Sequence, residues 1–103
     1  MMDKREFSAR LTRLRMNKGV SARDMSLSIG QSAGYINNIE NGVNYPSMQT
    51  FFYICDYLEI EPMEFFDTRQ SDPVKCAELM ETVKELSSDQ IEHLIALARD
   101  LQK

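Results

Sequence analysis

Seven basic residues, Lys4, Arg5, Arg10, Arg13, Arg15, Lys18 and Arg23, lie within the first 47 of the 103 positions, against four acids, Asp3, Glu6, Asp24 and Glu40. The front of the chain is thus positive by three charges, while the remainder, with five basic and twelve acidic residues, is negative by seven. Cations gathered in one region suit a polyanion, because each phosphate they neutralise releases condensed counterions. The net charge of -4 and the pI near 4.9 oppose that role only if charge is averaged over the chain. Fields act mainly within about a Debye length, roughly 8 Å, so a basic front and an acidic back would orient the molecule on nucleic acid. Ordinary solvated charge is the alternative.

Bond-making chemistry has far less to draw on. His93 is the single histidine. It has no second ligand four residues on and no paired nucleophile and base, so a solvated surface position is expected. A phosphate-cradling glycine loop is likewise missing from the sequence. Cys55 and Cys76 lie in helical patterns without a CxxC spacing, which predicts buried free thiols in a reducing compartment. The sequence therefore reads as a non-enzyme without cofactor or metal.

Helices carry these residues. Lys4 to Lys18 forms the first, with Phe7, Leu11 and Leu14 as one stripe and Gly19 as its stop. Arg10, Arg13 and Arg15 lie off that stripe, where one or two would touch phosphate, or else solubilise a face or pair within the molecule. Ser21 then caps a helix with Ala22, Met25, Ser26 and Ile29 at helical spacing, and Gly30 supplies the positive φ that ends it. Ser32 is the expected cap of a second helix, over about 32–41, with Ile36 and Ile39 turned inward and Ala33, Gly34, Asn37, Asn38 and Asn41 on other faces. Two helices this close must cross tightly, and Ser26 is the small residue that permits it. The spacing is that of a helix-turn-helix.

Beyond the loop Gly42–Pro46, Ser47 caps a helix over Met48–Leu58 with Phe51, Ile54, Cys55 and Leu58 inward. Phe52, Tyr53 and Tyr57 read as packing rather than as a base-stacking platform. Pro62 opens a short helix ending at Phe65-Phe66, which would seal the bundle.

Taken in order, Phe7, Leu11 and Leu14, the Ser21–Gly42 motif with Ile36, Ile39 and Glu40-Asn41-Gly42, then Pro46-Ser47, Leu58 and Phe65-Phe66 make a set of landmarks. In these the chain resembles the Cro/C1-type (XRE) helix-turn-helix family of phage and bacterial repressors, over roughly Phe7 to Phe66. The resemblance implies an all-α fold whose residues 1–67 form a five-helix, lambda-repressor-like domain. It also implies a sequence-specific, double-stranded DNA-binding transcriptional regulator, a repressor, that reads the major groove with the helix at about 32–41.

Carried over by position, the residues for base edges are Ala33, Gly34 and Asn38, with Ser32 and Asn37 beside them and Asn44 in the next loop. Phosphates fall to the backbone near Ala22 and Arg23, and to Tyr35 and Asn41. Many relatives have Gln or Arg where this chain has Ala22, Ala33 and Gly34, and a basic residue at Val43. Asparagine can pair with adenine and alanine can touch a thymine methyl, but alanine and glycine make no bidentate hydrogen bond. A helix-turn-helix kept as a protein-interaction module, antitoxin-like or a regulatory partner, is the competing expectation.

Residues 68–72 read as a linker, and residues 73–103 as a two-helix hairpin. Asp72 and Pro73 start its first helix, with Cys76, Leu79, Met80, Val83 and Leu86 on one stripe. Ser87 and Gln90 form a capping box, and the last helix repeats the stripe in Ile91, Leu94, Ile95, Ala98 and Leu101. Helices of about a dozen residues are marginal alone, so these stripes must be covered. A homodimer is the expected cover, and packing within the chain the alternative. With no run of about 18 apolar residues and no apolar segment behind MMDKREF, the protein is expected to be soluble and cytoplasmic, with no membrane partner.

Overall fold

Helix starts in this chain are set by short polar side chains that accept the otherwise free first-turn amides. In a computed structural model describing residues 2–103, Asp3 accepts from the Glu6 N–H, Ser21 from Asp24, Ser47 from Thr50, Asp72 from Lys75 and Ser87 from Gln90. The elements they open, together with two that start otherwise, are α1 (Lys4–Lys18), α2 (Ala22–Ser28), α3 (Tyr35–Glu40), α4 (Met48–Leu58), α5 (Pro62–Phe66), α6 (Pro73–Thr82) and α7 (Ser88–Leu101). All regular structure in the described residues is helical, as the sequence predicts.

Two glycines end the motif helices in the same way. Gly30 (φ 78°) and Gly42 (φ 76°) are left-handed. That conformation lets Gln31 N–H reach back to Ser26 O and Val43 N–H to Asn38 O, each at 2.9 Å. Carbonyls that the helix leaves free are satisfied, and the chain turns sharply enough to begin the next element.

The core is one cluster built from α1 to α5. Leu11, Met25, Ile36, Ile39, Ile54 and Phe65 are fully buried at its centre. Phe7 and Phe51 flank Phe65 with ring centroids 4.9 and 5.1 Å away, the second pair edge to face. Phe66 does not complete the expected seal, being half exposed, and Phe52 and Tyr53 stand on the outer face of α4 rather than in the packing. Cys55 is buried, and burial pushes its thiol up to about 11, so it stays protonated and inert at neutral pH. Cys76 is exposed, against the expectation of two buried thiols.

Arg10 corrects the reading of α1 as a phosphate-facing helix. It is only 6% exposed. Its guanidinium donates to four carbonyls, those of Phe65 (2.6 Å), Gln70 (2.7 Å), Glu64 (2.8 Å) and Asp67 (3.0 Å). A five-residue helix such as α5 leaves its last carbonyls without internal partners, and one planar side chain with five donors serves them. Burial lowers the Arg10 pKa and the nearby Asp67 carboxylate opposes that fall, so the charge is retained. The Asn17 side-chain amide donates to Ser71 O at 2.6 Å, and Pro73 is fully buried. Residues 67–73 are therefore strapped to the bundle.

Past that strap the chain leaves the bundle, giving the molecule extents of 50 × 25 × 21 Å. α6 stops at Thr82, short of the expected stripe, so Val83 and Leu86 lie outside it. The cause is the next start: Ser87 and Gln90 make the reciprocal capping box of α7, and the residues before it can only turn, with Leu86 N–H on Val83 O at 3.1 Å. α7 has no buried residue. Leu79, Met80 and Leu101 are more than half exposed, so the bundle does not cover either stripe.

Candidate nucleic-acid interface

Six residues make a helix that would not persist alone, so α3 must be held by its surroundings. Ile36 and Ile39 are fully buried and anchor one face. Polar bonds fix both ends. The Ser26 hydroxyl on α2 donates to Ala22 O at 2.7 Å and accepts the Ile36 N–H at 2.9 Å. At the other end the Ser8 hydroxyl on α1 donates to Ile39 O at 2.6 Å. Arg15 donates to both carboxylate oxygens of Glu40, at 2.7 and 3.0 Å, and to Val20 O at 2.8 Å. The Glu40 carboxylate, accepting these bonds, raises the Arg15 pKa, and the pair is 17% and 10% exposed. Arg15 thus stabilises the motif from within, the alternative left open by the sequence, and is not free for phosphate.

Ser32 is not the cap of α3. The helix begins at Tyr35, its N-cap is Gly34, and no side chain of the cap accepts a bond. Ser32 offers its carbonyl to the Tyr35 N–H at 3.1 Å, closing a turn. The physical reason lies on the neighbouring helix: Ser26 takes the Ile36 amide that a capping side chain would otherwise serve. Ser26 is therefore more than a small residue at a crossing. Ser26→Ala should lower stability by about 1–3 kcal/mol by orphaning a buried amide, and Ser26→Leu by a similar or larger amount through overpacking. Thermal melting of the two variants beside wild type checks this; an Ala variant that melts as wild type would show the bond to be dispensable.

With its inner face fixed, α3 presents Asn37 and Asn38, and its C-cap Asn41, to solvent. Ser32 and Gly34 are exposed ahead of it, while Ala33 and Tyr35 are partly covered. Arg23 is exposed and Ala22 partly covered at the start of α2. Asn44 is exposed in the following loop, its amide donating to Tyr45 O at 3.1 Å. Among the described residues no group of three or more His, Cys, Asp and Glu side chains is placed to hold a metal ion, and no helix is long and apolar enough to cross a membrane. Sequence reasoning missed Ser8 and the Arg15–Glu40 pair. Ser8 carried no spacing signal, since a hydroxyl one turn from the apolar stripe looks like surface until α3 is seen beneath it.

The sequence model of the helix-turn-helix domain family matches residues 9–71, more than half of the chain, and the chain belongs to this family as a Cro/C1-type member. Among solved structures it is similar to the restriction-modification controller protein C.AhdI from Aeromonas hydrophila, with 31% identity and a TM-score of 0.59 over 62% of this chain and 93% of that one. No match is found among curated proteins. The family and the fold make the chain a DNA-binding transcription regulator.

Proposed function

We propose that the protein is a cytoplasmic repressor that selects its sites on double-stranded DNA by laying α3 in the major groove, and that it acts as a two-fold dimer. The observation that carries this reading is the division of α3 into a buried isoleucine face and an exposed asparagine face. A helix about 10–12 Å across fits a major groove about 12 Å wide. In it Asn38 pairs with adenine N6 and N7, Ala33 lies against a thymine methyl, and Gly34 admits close approach. Ser32, Asn37 and Asn44 contact neighbouring bases, and Ala22, Arg23, Tyr35 and Asn41 hold phosphates. The likeness to a controller protein supports a role in controlling transcription.

Mobility shifts with genomic duplex at low and moderate salt test the reading. Asn38→Ala should weaken the preferred site by about 1–3 kcal/mol and leave random duplex nearly unchanged, whereas Asn41→Ala should weaken all sequences alike. Equal losses from both variants would remove Asn38 from base readout. The short side chains of Ala33 and Gly34 favour a second reading, a protein-interaction module. Absence of any duplex binding at low salt would select it.

A further inference from the structure

We infer that the groove between the start of α1 and the end of α3 is a phosphate-binding site, in which Lys4 and Arg5 grip the DNA backbone beside Asn41. The inference rests on the DNA reading of α3 and extends it to a part of the chain that the resemblance did not assign. The groove is lined by Lys4, Arg5, Ser8, Ala9, Asn41 and Gly42. Glu40 also borders it, but its carboxylate is already paired with Arg15. Lys4 and Arg5 are exposed, and neither is in an ion pair among the described residues.

Helix geometry separates these two cations from the acids near them. Ser8 marks the side of α1 that faces α3, because it bonds Ile39 O. Lys4 lies one turn before Ser8 on the same side. At about 100° per residue Glu6 falls roughly 160° away and Arg13 roughly 140° away, on the far side of the helix. Asp3, the α1 N-cap, accepts the Glu6 N–H and borders a different groove, one lined by Phe7, Tyr45 and Phe66. The Lys4 ammonium stands 5.5 Å from the centroid of the Tyr45 ring, which itself packs edge-on against Phe7 at 5.4 Å. That contact draws the charge toward the loop carrying Asn44. Of the four arginines on α1, Arg10 and Arg15 are engaged inside the fold and Arg13 is turned away, so Arg5 and Lys4 are the cations left beside α3.

The test uses the full chain, with anisotropy titrations of a labelled preferred site and of a random-sequence duplex across a salt series. Lys4→Gln with Arg5→Gln should lower affinity for both duplexes by the same factor, more than about tenfold near 0.1 M salt. It should reduce the slope of log affinity against log salt by about 1.8, or about 0.9 for each phosphate lost. Melting should be unchanged, since both side chains are exposed. Lys84→Gln with Lys103→Gln removes the same charge far from the groove and should alter the slope little. An unchanged slope in the first variant, or an equal change in the second, overturns the proposal. If wild type binds and Asn38→Ala has no selective effect while the Lys4/Arg5 variant still loses its slope, the groove stands and base reading by Asn38 fails. If wild type binds no duplex at low salt, both fail.

Discussion

Arg10→Met should lower the stability of the helix-turn-helix bundle by about 3–5 kcal/mol, since it strips a buried charge and its donors from four carbonyls at once. For a domain of this size that corresponds to a fall in melting temperature of more than about 10 °C. Arg10→Lys keeps the charge but has one compact donor group in place of a planar fork, so it should recover only part of the loss. The two variants, melted beside wild type, separate charge from geometry. A Met variant that melts within about 2 °C of wild type would show that water serves the α5 carbonyls as well as Arg10 does.

The second large effect lies in the tail. Leu94 and Leu101, 40% and 78% exposed on α7, belong to the stripe expected to join two copies, with Leu79, Met80 and the half-buried Val83, Leu86 and Ile91 on the same appendage. An apolar surface of this kind at the end of an extended chain calls for a partner. Replacing both leucines by aspartate should turn a dimer into a monomer by light scattering at micromolar concentration. Helix content and melting of the bundle should stay as in wild type. Affinity for a near-palindromic site should fall by about 10²-fold or more, because the second recognition helix, about 34 Å away, loses its high effective concentration. If the variant still dimerises and binds equally well, α6 and α7 are not the adhesive surface.

Local signals made much of this architecture readable before the structure. Ser21, Ser47 and Ser87 cap where their spacing to the apolar stripes says they should, and Gly19, Gly30 and Gly42 all take the left-handed conformation that ends a helix. Ile36 and Ile39 are buried as their spacing requires, leaving the asparagines outward. What the sequence hid is long range. Arg10 looks like any off-stripe arginine until carbonyls more than fifty residues later are brought over it. The start of α3 was misjudged at Ser32 because its capping group comes from another helix, ten residues earlier. Glu59, left-handed at φ 61° without being glycine, ends α4 at a position no composition rule marks. The outward residues of α3 were legible as a face, but their contacts are a matter for binding experiments.

Every restraint on α3 comes from elsewhere: a hydroxyl on α2, a hydroxyl and a guanidinium on α1, and two isoleucines in the common core. Such a helix has no route to fraying by itself while the rest stays folded, since releasing it orphans buried groups on both of its neighbours. Its amide hydrogens should therefore exchange with solvent only through opening of the whole bundle, at rates close to those of α1 and the inner turns of α4. The asparagine face exists in full or not at all. A core substitution far from it, short of changing its shape, would reduce the number of competent molecules in a sample and leave the affinity of each one untouched.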